Sequence, residues 1–323
     1  DTLSDEKIAA LQDECDFWRF LQFEFYRELA ALKDYAKSKN VALIGDIPIY
    51  VAYDSADVWA HPEIFRLDKN MRPKEVAGVP PDYFSADGQL WGNPLYDWKK
   101  QQADGFVWWH HRLLHQLKFF DKIRIDHFRA FESYYAVPYG ATTAKIGRWV
   151  KGVGTKIFDG LDLDGRIIAE DLGIITDKVR RLVKRTGFPG MKVFQFAFDG
   201  KSDNEHLPEN VKYNTVYYTG THDNAPLALW RTEADREDVA FAAQYLGLNE
   251  REGFNRGIIR GGMGSVAKLF VAQMQDWLDL GPGHRMNVPG TSCGNWKWRM
   301  LPEEASHSLA SSIHEMTRIY GRL

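Results

Sequence analysis

The chain has 323 residues, long for an average domain but within the span of one β/α barrel. Its net charge of −3 and pI near 6.4 supply no field that would gather nucleic acid or anionic lipid, so a neutral or small partner is expected, with no nucleic acid and no membrane. Two cysteines, Cys15 and Cys293, are too few for a disulfide framework; residues 1–30 hold no basic-then-apolar leader, and no run reaches the roughly 18 apolar residues of a membrane span, which together predict a soluble, cytoplasmic protein.

The pattern from Asp5 to Lys37 predicts one long helix, capped by Ser4 and carrying a stripe of Phe17, Leu21, Phe25, Leu29 and Leu32, with Asn40 ending it. Residues 41–49 are apolar on both faces, as in a buried parallel strand, with Asp46 near the C-terminal end. Residues 50–100, rich in Gly, Pro, Asp and aromatics, read mostly as loop, too long for a simple connection. A helix over 105–119 leads into a strand ending at Asp126, then a glycine-rich turn region around 140–154. Strands follow at 166–172, 191–198 and 215–223, the first two separated by a helix with Val179, Leu182 and Val183 on one side. Residues 226–284 read as mostly helical, 285–290 as a weak sixth strand, and 302–320 as a closing helix.

Strands alternating with helices predict a parallel sheet, and no strand is followed at once by a glycine fingerprint for a dinucleotide. The expected class is α/β, of the β/α-barrel type, although six strands are counted where a barrel needs eight.

Acids gather at the C-terminal ends of the expected strands: Asp46, Asp126, Glu170 with Asp171, and Asp223 after His222. On a barrel these ends converge on one face, and two carboxylates about 5 to 5.5 Å apart are the apparatus of retaining glycoside chemistry. Period-two alternation puts Arg124 and Asp126 on the face opposite Ile123 and Ile125, which keeps Asp126 ionised. Taken alone, the stretch 121–131 is equally consistent with a structural ion pair. Glu170 follows an apolar strand that would raise its pKa and hold a proton. Trp91, beside Gly92 in the long loop, is the best aromatic platform for a sugar ring, although most aromatics of so aromatic a chain must be core.

Three other patterns compete. His111 and His115 have the i, i+4 spacing of a zinc pair, but Arg112 stands where a zinc protease needs Glu. Gly147 and Gly152 have phosphate-loop spacing, but Val153 stands where Lys is required. Asp46, Asp126, His127, Glu170, His222 and Asp223 are also of a type to ligate a divalent metal at a barrel mouth.

In chain order, the strings 45–51 (GDIPIYV), 55–59 (SADVW), 78–85 (GVPPDYFS), 88–98 (GQLWGNPLYDW), 124–129 (RIDHFR), 169–173 (AEDLG) and 218–224 (YTGTHDN) closely resemble the 4-α-glucanotransferases, also called amylomaltases or disproportionating enzymes, of the α-amylase clan. The resemblance covers nearly the whole chain. It implies a (β/α)8 TIM barrel with long inserted loops, and an incomplete one, since the part resembling the source of its first two strands is missing. A truncated chain of this kind is expected to leave 41–49 as an uncovered edge strand and to be unstable or weakly active in isolation. The domain reading is one catalytic barrel over 1–323, with 50–100 an inserted substrate-cleft region and 226–284 a helical region within the barrel.

By the same resemblance Asp126 matches the nucleophile, Glu170 the acid/base and Asp223 the third carboxylate. Arg124 and His222 match the flanking residues, and Asp82, Trp91 and Asn287 match positions lining the sugar cleft; Asp46 and Tyr50 complete the expected binding set. Implied is double displacement on α-1,4-glucans and maltooligosaccharides, with a sugar 4-hydroxyl as acceptor and neither metal nor organic cofactor. A hydrolase of the same clan and an inactive glucan-binding fragment are the alternatives. The chain departs from the family after Asn224, with Ala225 and Pro226 in place of an acid and a threonine, which predicts an altered loop there.

Overall fold

In the computed structural model, which describes residues 4–81, 86–291 and 293–323, six parallel strands carry the architecture. They are β1 (Ile44–Pro48), β4 (Lys122–Asp126), β7 (Ile167–Ala169), β8 (Gly190–Val193), β9 (Thr215–Tyr218) and β10 (Leu269–Val271), interleaved in sequence with β2 (Glu75–Val79), β3 (Gln89–Pro94), β5 (Ser133–Pro138) and β6 (Arg148–Lys151). The parallel strands pair as β1-β4-β7 and β8-β9-β10, and a backbone bond from Ala169 N–H to the Pro189 carbonyl (2.9 Å) joins the two groups. The class is α/β; among the described residues β1 and β10 each pair on one side only, so the strand series stays open.

Alternation along each strand sorts the side chains into layers. Ile123 and Ile125, both fully buried, face helix Val107–Phe119 through Trp109, Leu113 and Leu117. On the opposite side Ile168, Met191, Val216 and Tyr218 form a second apolar layer, and Arg124 reaches it, its Nε 3.3 Å from Met191 Sδ. Helix Asp177–Thr186 is N-capped by Thr176, whose hydroxyl accepts from Val179 N–H. It ends at Gly187, whose φ of +74° turns the chain back into β8.

Three expectations change. Residues 50–100 are not loop alone: β2 and β3 join β5 and β6 in an antiparallel sheet of order β3-β2-β5-β6. Their glycines and prolines read as turn signals, yet Gly78 is needed inside β2, because a Cβ there would lie 2.4 Å from the Gln89 carbonyl oxygen. The sixth parallel strand is β10, inside the stretch read as helical, and 285–290 is not a strand; three apolar residues carry no period of their own until β9 pairs with them. The first helix is two, Asp5–Ala10 and Gln12–Ser38, with Ser4 still accepting from Lys7 N–H (3.4 Å). Its stripe is largely exposed. Phe17 (54%), Phe25 (54%) and Leu32 (56%) are exposed, as are Trp18, Phe20 and Phe23 on other faces. The helix meets the rest of the fold through Tyr26 against His115 and Phe119, Phe25 edge-on to Phe119 (6.3 Å) and Lys33 on the Lys118 carbonyl, which leaves most of the stripe open to solvent.

Candidate active site

The β1–β4 register sets Asp46 beside Arg124, and Arg124 spans two carboxylates: Nη1 lies 2.5 Å from Asp46 Oδ2 and Nη2 2.8 Å from Asp126 Oδ1. The guanidinium is buried and fully charged, whereas Asp126 is open to solvent on one side (43% of its side chain). One cation thus fixes Asp126 in orientation and leaves its outer oxygen free. Burial raises the Asp46 carboxyl from its ordinary value, opposed by Arg124 and His222.

Glu170 follows β7 directly and sits beside Asp126, because Ile125 pairs with Ala169 and Glu170 N–H bonds to the Ile125 carbonyl (3.2 Å). Both of its oxygens accept backbone N–H groups, Oε2 from His127 and Oε1 from Leu172, each at 2.8 Å. Burial (7% exposed), reinforced by the Asp126 charge, pushes the carboxyl up to about 7 against the pull of Arg124. The His127 N–H can point at Glu170 because the chain turns there into the left-handed region, φ +53°. Burial lowers the His127 imidazole to about 3, so it is neutral; its Nε2 is buried and without a partner among the described residues, and its ring meets Trp91 edge-on at 4.8 Å.

The third carboxylate comes from the turn after β9. Asn224 closes that turn, its Oδ1 accepting from Thr221 N–H (2.8 Å) and hydroxyl (2.9 Å), so His222 and Asp223 project from a turn complete before Ala225. Pro226 then begins helix Leu227–Glu233, and the Ala225 carbonyl accepts from Gln195. Asp223 Oδ1 receives Asn287 Nδ2 at 2.6 Å and lies 3.4 Å from His222 Nε2. Burial would raise Asp223, but hydrogen bonds from His222 and Asn287 outweigh it and hold the carboxyl below its ordinary value. For His222 burial works downward, and the hydrogen bond and charge of Asp223 raise it overall. His222 Nδ1 is 3.8 Å from Asp46 Oδ2, which links this turn to the Arg124 pair.

The structure therefore brings Asp46, Arg124, Asp126, Glu170, His222, Asp223 and Asn287 together. Trp91 is half-exposed beside His127, and Tyr50 lies beneath it in the core, 5% exposed, between Trp91 (6.4 Å) and Tyr96 (5.8 Å). Asp82 lies outside the described residues. His115 is engaged by the Tyr26 hydroxyl at 2.9 Å, and among the described residues no group of three or more His, Cys, Asp or Glu is placed to hold a metal ion. Missed by the sequence reading was Arg285, which donates to the Asp223 carbonyl (2.7 Å) and the Asn287 carbonyl (3.0 Å). It sits in the stretch read as a strand, and nothing local to it marks it out.

A carboxylate fixed beside a buried, proton-retaining carboxyl, with a third ionised acid across from them, is equipped for acid-assisted displacement at an acetal carbon. Comparisons point the same way. A family model described as 4-alpha-glucanotransferase matches residues 3–304. The 4-alpha-glucanotransferase of Clostridium butyricum is 48% identical over 97% of this chain and 65% of its own length, and that of Aquifex aeolicus 46% over 95% and 63%. A solved amylomaltase from Streptococcus agalactiae, in complex with acarbose, superposes with a TM-score of 0.93 at 38% identity, over 99% of this chain and 66% of that one. The chain thus spans somewhat less than two thirds of these curated relatives, and over that span it belongs to the 4-alpha-glucanotransferase family.

Proposed function

We propose that the chain carries the catalytic machinery of a 4-α-glucanotransferase acting on α-1,4-glucans and maltooligosaccharides by retaining double displacement. The observation that carries this is the coupled pair on β4 and β7: Asp126, oriented by Arg124, beside Glu170 with a carboxyl near 7. Asp126 Oδ attacks the anomeric carbon as Glu170 gives its proton to the departing 4-oxygen, leaving a glycosyl ester on Asp126. Esterification removes the Asp126 charge that helps raise Glu170, so the Glu170 carboxylate then becomes a stable base. It takes the proton of an incoming 4-hydroxyl, whose oxygen attacks the ester-bound carbon and frees Asp126. Asp223, ionised and held by Asn287, with His222 beside it, holds sugar hydroxyls during both steps.

Arg124 and Asp46 position the nucleophile, while Trp91, backed by Tyr50, and Asp82 serve the sugar cleft, so that residues 50–100 act as a substrate-cleft region. Family membership supports transfer to sugar over transfer to water; the acids alone do not choose. No helix among the described residues is long and apolar enough to cross a membrane, and Cys15 and Cys293 are both free, which supports a reducing compartment such as the cytoplasm. The test is the product ladder from maltotriose, beside Asp126→Asn. Products longer than maltotriose that vanish in the variant support transfer by this site; only shorter products mean hydrolysis, and a ladder unchanged in Asp126→Asn removes the nucleophile.

A further inference from the structure

Trp296 is the large aromatic next to the acid cluster that no step above uses. Its indole lies 5.0 Å from the His222 ring at 45°, yet the residue is 52% exposed, so one side rests on the site and the other is open. Its backbone is left-handed (φ +62°), a conformation costly for a non-glycine residue and maintained only where surrounding contacts impose it. Those contacts are present: Trp296 N–H donates to the Met286 carbonyl at 2.7 Å. Asn295 Oδ1 accepts from Val288 N–H (3.0 Å), and its Nδ2 donates to Thr291 Oγ1 (3.0 Å). The next residue after Met286 is Asn287, which donates its own N–H to the His222 carbonyl (3.1 Å) and its Nδ2 to Asp223. One loop therefore holds the third carboxylate with Asn287 and aims an indole beside it, without burying that indole.

The arrangement parallels the other side of the cluster. Trp91 packs on His127, the residue after Asp126, and Trp296 packs on His222, the residue before Asp223; each is half-exposed and each neighbours a glycine and an asparagine in sequence. Resting on the proposed function, we infer that Trp296 is a second aromatic platform, stacking on the apolar face of a glucosyl ring whose hydroxyls reach His222 and Asp223. Such a residue decides how firmly, and in which register, a maltooligosaccharide lies across the acids.

Binding of maltoheptaose, measured by calorimetry in an Asp126→Asn background so that nothing turns over, tests this apart from catalysis. Trp296→Leu, which keeps apolar bulk but has no ring face, is expected to weaken binding about tenfold, and Trp296→Phe to stay within about threefold. In the otherwise native chain Trp296→Leu is expected to raise KM for maltotriose with kcat changed far less. Binding within twofold of the parent in Trp296→Leu, equal losses in Leu and Phe, or no binding of maltoheptaose by the Asp126→Asn chain overturns the platform. If Trp296→Leu unfolds, the Phe variant together with Trp296→Tyr decides: loss of binding in both ring-bearing variants overturns it, and retention in both supports it. A maltotriose ladder with only shorter products would instead reject transfer and leave the binding result to judge Trp296.

Discussion

The Glu170 carboxyl, pushed up to about 7, sets the pH at which the proposed acid is available. The protonated fraction falls from about 90% at pH 6 to about 10% at pH 8, whereas a carboxyl at its ordinary 4.5 would be about 97% ionised already at pH 6. The kcat/KM for maltotriose, from initial rates in buffers of constant ionic strength, should therefore drop about ninefold to tenfold across that interval, with its midpoint near 7. Glu170→Gln should lose the alkaline limb together with some 10²- to 10⁴-fold of rate. A donor whose leaving group needs no proton, such as α-maltosyl fluoride, should recover the first step in that variant. Two results would refute the reasoning: an alkaline limb centred near 4.5, or one that survives in Glu170→Gln with its midpoint unmoved.

Three further outcomes follow from the same geometry. Arg124→Lys keeps the charge but has no fork to span Asp46 and Asp126, so kcat/KM should fall about tenfold or more with unchanged circular dichroism; activity within twofold would contradict the bridging argument. Asn287→Ala removes a donor that holds Asp223 below its ordinary pKa, so the acid limb of the rate profile should move to higher pH, and an unmoved limb would deny the contact its role. Asp276, 1% exposed, accepts from Leu227 N–H (2.7 Å) and the Thr219 hydroxyl (2.6 Å), and burial pushes it up to about 6. A carboxyl raised on folding stabilises below its unfolded pKa and loses that contribution as pH rises through 6, here up to about 3 kcal/mol. Asp276→Asn keeps the Leu227 acceptor, so its melting temperature should gain on the parent between pH 4 and pH 8; a difference flat with pH would show that Asp276 is not raised.

What the sequence disclosed depended on whether a residue's neighbours were local. Arg124 and Asp126 alternate with Ile123 and Ile125 within one strand, so their shared face is legible in five residues, and the strand pairs in register with β1 and β7. The acids at strand ends were legible because a parallel sheet gathers like ends. By contrast β2, β3 and β6 depend on partners up to about sixty residues away, and their glycines and prolines spoke for loop. Arg285 serves backbone carbonyls across the site, a role with no signature in its own neighbourhood. Trp296 does carry a signal, the same glycine and asparagine company that singles out Trp91, but it lies between the expected strand at 285–290 and the closing helix at 302–320, where the sequence predicts no element. The helix Gln12–Ser38 is legible from its stripe, and only the structure places most of that stripe in solvent.

The register of β4 also bears on which genetic changes the chain can accept. Asp126 aligns with Pro48 on one neighbour and stands beside Glu170 on the other, and its face is fixed by an alternation of two. Losing one codon between 123 and 126 would hand the Asp126 position to the other face, sending a carboxylate into the layer of Trp109 and Leu113 and an isoleucine into the cleft. The chain should therefore tolerate most conservative point substitutions at Ile123 and Ile125 while tolerating no single-residue deletion there, and a deletion scan across 120–128 against the exposed turn at 139–143 would show that asymmetry as a gap in the surviving library.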